Sequence, residues 1–176
     1  KGNTMITIST SNTITHVSLL RCKFGERDVA VSALSASLLA CRSPALRKHA
    51  GVDFTLIHVD NNAIIGNIFE FQYYTEPVLN FLKPSASPTS GSIVVSVIGT
   101  SFFAGNIKCK FGSVGSESTG RYISDTLVHC ISPPGNAGRR GLDISFNDGY
   151  DFATSGLELI YEPAFTIERI VPSTLR

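Results

Sequence analysis

The chain has 176 residues, 43% of them apolar and 16% charged, with a formal net charge of +1. That is enough for one large domain or two of about 85–90 residues, and the near-neutral balance gives no electrostatic reason to bind nucleic acid or an acidic membrane. No apolar run reaches the roughly 18 residues of a bilayer span, and the opening Lys1–Ile8 lacks the pattern of a secretion signal, which is expected outside this segment if the protein is secreted.

Taken in order, the chain reads as short extended segments separated by Gly, Ser, Asn and Pro. Leu20, Cys22 and Phe24 alternate with polar residues and share one face of a strand. Val29–Cys41 (V-A-V-S-A-L-S-A-S-L-L-A-C) is ambiguous and admits a short helix. Val52, Phe54 and Leu56 follow, then the turn signal Asp60-Asn61-Asn62, then Phe69, Phe71 and Tyr73. After the short junction Tyr74-Thr75-Glu76-Pro77 comes a prolyl lead-in, P-V-L-N-F-L-K-P-S-A-S-P-T-S-G. Ile93, Val95 and Val97 form the next face, followed by the paired aromatics Phe102-Phe103. Ile107, Cys109 and Phe111 then alternate with Lys108 and Lys110, which point away. Beyond a Gly/Ser-rich stretch come Cys130, the Gly-flanked loop bearing Arg139-Arg140, and the face Leu142, Ile144 and Phe146. Asn147-Asp148-Gly149 marks a turn, and Leu157, Leu159 and Tyr161 form the last face.

The two halves repeat. I-K-C-K-F-G … T-L-V-H-C-I-S-P-P at Ile107–Pro134 is preceded by L-R-C-K-F-G … L-L-A-C-R-S-P at Leu20–Pro44. Cys22 to Cys109 is 87 positions, Cys41 to Cys130 is 89, and Glu76-Pro77 recurs as Glu162-Pro163 after 86. Gly51-Val52-Asp53 matches Gly141-Leu142-Asp143 in sequence. In the ambiguous segment the repeat favours strand, because its counterpart Gly115–Cys130 is Gly/Ser-rich and then strand-like. A period near 87 is too long for a solenoid unit and suits autonomous domains in a row. The expected division is residues 1–76, a domain lacking its first strand, residues 77–162, a complete domain, and residues 163–176, the start of a third, since P-A-F-T-I-E-R-I-V-P-S resembles the lead-in. The short junction predicts closely spaced neighbours and a semi-rigid rod.

The cysteines occur once per strand face and twice per repeat, 19 and 21 positions apart. No C-x-x-C or H-x-x-x-H pair suggests zinc. One disulfide inside each repeat is the better reading, against buried free thiols. It implies an oxidising compartment and roughly 3 kcal/mol of stabilisation per loop.

The order G-S-I-V-V-S-V-I-G-T-S-F, I-K-C-K-F-G, T-L-V-H-C-I-S-P-P, L-D-I-S-F-N-D-G and L-E-L-I-Y in residues 77–162 resembles the IPT/TIG immunoglobulin-like domain. That domain is known from plexins, hepatocyte-growth-factor-receptor-type ectodomains and fibrocystin-like proteins. The first copy matches more loosely, with N-T-I-T-H at 12–16 in place of G-T-S-F-F and R-S-P-A in place of I-S-P-P. The resemblance implies an all-β fold of tandem immunoglobulin-like β-sandwiches of the E-set type. It carries one intradomain disulfide onto each of Cys22–Cys41 and Cys109–Cys130, and it brings no catalytic residues.

Other chemistry finds little support in the residues. There is no G-x-S-x-G elbow, no G-x-G-x-x-G and no G-x-x-x-x-G-K-[ST]. Asp60-Asn61-Asn62 and Asn147-Asp148-Gly149 offer oxygen ligands for calcium, but hairpin turns use the same residues. No catalytic, cofactor-binding or metal-ligating residue is expected. Arg139-Arg140, matched by Arg47-Lys48-His49 in the first copy, is a candidate partner contact or a solvated loop tip. Phe102 and Phe103 are a second candidate contact or a plug at the end of the sandwich. No N-x-S/T sequon occurs.

The expected function is non-enzymatic: an extracellular or cell-surface structural segment, a semi-rigid spacer in a filament, appendage or stalk. Its expected partners are neighbouring repeats or copies of the same protein, with no nucleic acid and no membrane contact within this segment. The alternative is the ligand-binding ectodomain of a plexin-like receptor or adhesin. A transcription-factor role is opposed by the net charge and the paired cysteines, and a carbohydrate-enzyme accessory role would need a catalytic barrel alongside.

Overall fold

Alternating apolar side chains build sheets here because each strand must bury one face against another. The computed structural model describes residues 2–46, 50–112 and 116–172. Among the described residues sixteen strands form, and the only helix is a 3-10 turn at Val17–Leu19. The chain divides into two units, Lys1–Glu76 and Pro77–Arg176.

The second unit contains β8 (Val78–Lys83), β9 (Ala86–Pro88), β10 (Val94–Thr100), β11 (Lys108–Phe111) and β12 (Glu117–Thr119). It continues with β13 (Arg121–Ser124), β14 (Leu127–Ile131), β15 (Gly138–Ser145) and β16 (Glu158–Glu162). One sheet has the order β13-β14-β10-β8 and the other β12-β11-β15-β16-β9. Their inner faces close on Val95, Val97, Cys109, Phe111, Leu142 and Leu159, none more than 2% exposed. Residues 78–88 serve both sheets: β8 pairs antiparallel with β10, and after Pro84 the chain crosses so that β9 pairs parallel with β16. Leu79 from this segment is buried in the core, and the Ser87 hydroxyl meets that of Ser132 at 2.8 Å.

The first unit contains β1 (Met5–Ser9), β2 (Leu20–Phe24), β3 (Arg27–Ala30), β4 (Ser32–Ser35), β5 (Leu38–Arg42), β6 (Ala50–His58) and β7 (Ile64–Tyr73). Its sheets have the orders β1-β5-β4 and β3-β2-β6-β7. The segment that admitted a helix is strand, as β3, β4 and β5. Each order is that of the second unit without β8 and β9. Loop hydrogen bonds recur as well. The Ser43 amide donates to Thr4 O as Ser132 donates to Ile93 O, both at 2.9 Å. The Gly25 amide donates to Asp53 O at 2.8 Å and the Gly112 amide to Gly141 O at 2.7 Å. Gly25 and Gly112, the glycines of C-x-F-G, have φ of +56° and +79°, where a Cβ is strained.

Two expectations need correction. Gly51-Val52-Asp53 does not correspond to Gly141-Leu142-Asp143. Cys22 lies opposite Leu56 and Cys109 opposite Ile144, so Asp53 corresponds to Gly141 and the sequence match is two residues out of register. A shift of two keeps every side chain on its face, so alternation could not reveal it. Phe69 is not a core residue: it is 58% exposed, whereas Phe71 is half-buried and Tyr73 buried. It lies on the outer half of a long hairpin, where β7 has a partner only on its β6 side among the described residues.

Candidate interface surfaces

The cysteines join sheets rather than forming a site. Cys22 of β2 is bonded to Cys41 of β5, and Cys109 of β11 to Cys130 of β14, with Cα atoms 6.5 and 6.0 Å apart. In each unit the bond links one sheet to the other, and all four residues are buried. Alternation places both members on inner faces, so the two thiols meet across the sandwich.

Arg139 and Arg140 are not in a loop. They lie within β15, opposite Ile160 and Leu159 of β16. The loop reading failed because flanking glycines suggest a turn, while the cross-strand pairing that holds these residues extended is non-local. Arg139 is exposed and bonds Glu158 across the strands at 3.1 Å, a surface pair worth at most about 1 kcal/mol. Arg140 turns the other way and borders a cleft of about 290 Å³ with Phe111, Pro133, Pro134 and Tyr161. The Tyr161 hydroxyl donates to Pro133 O at 3.0 Å. Burial pushes its phenol above the ordinary value, and the nearby Arg140 charge opposes the rise. Among the described residues lining the cleft there is no histidine and no carboxylate. A guanidinium beside an aromatic ring suits contact with a carboxylate or a flat peptide segment, not proton transfer. Arg47, Lys48 and His49, the basic residues of the first copy, lie outside the described residues.

Phe102 is 3% exposed and Phe103 half-buried, their ring centroids 5.4 and 4.9 Å from that of Phe146. Both are engaged in closing the end of the second sandwich, and Phe102 has no face to offer a partner. The acidic turns are likewise occupied. Asn147 Oδ1 accepts from the Asp151 amide at 3.0 Å and from the Ser145 hydroxyl at 2.8 Å, and Asn61 Oδ1 accepts from the Ala63 amide at 3.0 Å. Lys110 reaches Asp143 at 3.0 Å and lies over the Phe152 ring. No cluster of three metal-ligating side chains occurs among the described residues.

Sequence reasoning did not single out the open edges of the first unit. Met5, Ile64, Ile65, Ile68 and Phe69 are each more than a third exposed along β1 and β7.

Residues 77–161 match the family model described as the IPT/TIG domain. A curated relative, the probable serine/threonine-protein kinase drkC of Dictyostelium discoideum, is 36% identical over 88 residues, which is 42% of this chain and 12% of that protein. The chain therefore spans about an eighth of that relative's length, and the kinase name describes that protein. A structure of the plexin A4 full extracellular region aligns over 92% of this chain and 15% of its own, with a TM-score of 0.58 and 20% identity. A second plexin A4 structure aligns over 92% of this chain and 17% of its own, with a TM-score of 0.47 and 18% identity. At this identity the first likeness speaks for the fold alone. The architecture is that of immunoglobulin-like β-sandwiches whose sheets are cross-linked by one disulfide each. Within this architecture the second unit is the part that the IPT/TIG model matches, over residues 77–161.

Proposed function

We propose that this chain is a non-enzymatic, extracellular tandem-repeat segment, a semi-rigid spacer in a cell-surface filament, appendage or stalk. The observation that carries the reading is the recurrence of one stapled sandwich. The same strand order, the same loop hydrogen bonds and the same inter-sheet disulfide occur on either side of Tyr74–Pro77. Disulfides persist in oxidising compartments, which supports a place outside the cell. The junction between Tyr73 and Val78 holds four residues, too few for a flexible linker.

Amide relaxation of the whole chain tests the spacer. The two units should share one rotational correlation time, and independent tumbling would overturn rigidity. Mapping of non-reduced peptides should recover Cys22–Cys41 and Cys109–Cys130, and free thiols at all four positions would overturn the extracellular placement.

A second reading, a ligand-binding ectodomain segment of a plexin-like receptor or adhesin, is supported by the fold likeness to the plexin A4 extracellular region and by the Arg140 cleft. It requires saturable binding of a protein ligand that Arg140→Ala weakens.

A further inference from the structure

The sheet β12-β11-β15-β16-β9 carries the basic residues Lys108, Lys110, Arg139 and Arg140. Lys108 meets Asp148 at 3.6 Å, Lys110 meets Asp143 at 3.0 Å and Arg139 meets Glu158 at 3.1 Å. Arg140 makes no ion pair among the described residues. Its place in the fold makes that costly. Arg140 alternates with the fully buried Leu142 and Ile144, so it stands on the inner face of β15, half-buried at the mouth of the core. Its stem crosses Gly112, where a Cβ would come 3.2 Å from Arg140 Cδ. A charge drawn toward an apolar interior is disfavoured unless it is paired.

The first unit fills the same place differently. Gly25 corresponds to Gly112, and the side chain beside it is the apolar Val52. A guanidinium comes instead from Arg27, opposite Phe24, and donates to Ala45 O at 3.1 Å. In the second unit the residue opposite Phe111 is Ser116, whose carbonyl accepts from the Phe111 amide at 2.8 Å. The counterpart of Ala45, counted from the second cysteine, is Pro134. Serine has no arm to span to Pro134 as Arg27 spans to Ala45, and a cleft of about 290 Å³ lies between Ser116, Pro134 and Arg140. Each guanidinium lies near the buried tyrosine of its unit, Arg27 by Tyr73 and Arg140 by Tyr161. The first is satisfied by its own backbone, whereas the second borders the cleft.

We propose that the Arg140 cleft is the docking site for an aspartate or glutamate side chain of a partner protein, presented on an extended segment. Its carboxylate would be forked onto the Arg140 guanidinium and its stem laid against Pro134. Charge complementarity selects that occupant. A guanidinium binds a carboxylate through two parallel hydrogen bonds, and among the described residues no carboxylate of this chain lines the cleft. No second cation lines it either, so the site balances one negative charge rather than the two of a phosphate. Small-molecule pockets occupy roughly 300–1,000 Å³, so this cleft has room for one side chain rather than a cofactor. The inference rests on the second reading, that of a ligand-binding segment, and supplies the chemistry of the ligand.

Titration of the whole chain with the capped tripeptide acetyl-Ala-Glu-Ala-amide, followed by its amide resonances, tests the site. The amides of Gly112, Gly135 and Arg140 should shift saturably. The peptide acetyl-Ala-Gln-Ala-amide, of the same shape without the charge, should bind about tenfold more weakly. Arg140→Gln should abolish the difference between the two peptides, Arg140→Lys should restore part of it, and Arg139→Gln should leave it unchanged. The exchange of peptides leaves the protein untouched, so a folding defect is not a source of that difference. Equal affinity for the two peptides, no saturable shift at the cleft, or discrimination that survives Arg140→Gln overturns the proposal. Acetate that binds as tightly as the Glu peptide overturns the assignment to a peptide. Each of these results leaves the ligand-binding reading standing, because that reading is decided with a protein ligand.

Discussion

Phe111 lies opposite Leu142 with 2% of its surface exposed, enclosed by residues of both sheets. Phe111→Ala removes a ring that the surrounding sandwich cannot collapse to fill, so denaturant titration should show a loss of about 3–5 kcal/mol. Phe69→Ser is the control: at 58% exposed, it should change stability by no more than about 0.5 kcal/mol. The two equivalent tyrosines make a second contrast. Tyr161→Phe forfeits the bond to Pro133 O and should cost about 1 kcal/mol. The buried Tyr73 hydroxyl has no hydrogen-bond partner among the described residues, so Tyr73→Phe should cost nothing or stabilise. Burial raises both phenols above their ordinary value of 10.0. The unfolded chain therefore ionises them first as pH climbs, so their contribution is full below pH 10 and lost as pH rises through the folded values. Thermal melts across that range should fall for wild type and fall less for the double Phe variant.

At the scale of elements, the staple and the lead-in strand do different work. Each disulfide closes a loop of 19 or 21 positions between facing sheets. Replacing Cys109 and Cys130 together by Ala should lower stability by about 3 kcal/mol on the chain-entropy model, read from the second unit's unfolding midpoint. Cysteine spacing and alternation made this element legible in the sequence, because the period of two places both cysteines on inner faces. The Arg139-Arg140 strand was not legible. What holds those residues extended is pairing with Ile160 and Leu159, some twenty positions away, and local composition carries no record of it. The two-residue slip at Gly51 has the same origin.

For the whole molecule, the unequal cores predict unequal stability. The second unit encloses Val95, Val97 and Leu159 completely, and the first leaves Ile6, Ile8 and Phe71 half-covered. Hydrophobic stabilisation follows apolar area removed from water, so the dilute chain should unfold in two steps, with Lys1–Glu76 first. Tryptophan is absent from the chain, so resolved amide or tyrosine signals would follow each unit. A single coincident transition would show that the units do not differ in this way.

Alternation, turn residues and the doubled cysteine motif together determined a β-sandwich, its repetition, the cysteine pairs and the inner-face positions of the second unit. These are local or strictly periodic features, and a pleated strand displays them directly in its residue order. Tertiary structure alone decided which residues lie opposite one another, that Arg140 borders a cleft while Arg139 meets Glu158, and that Phe102 and Phe103 both close on Phe146. Those outcomes depend on what packs against a segment from elsewhere in the chain, and no segment encodes its neighbours by itself.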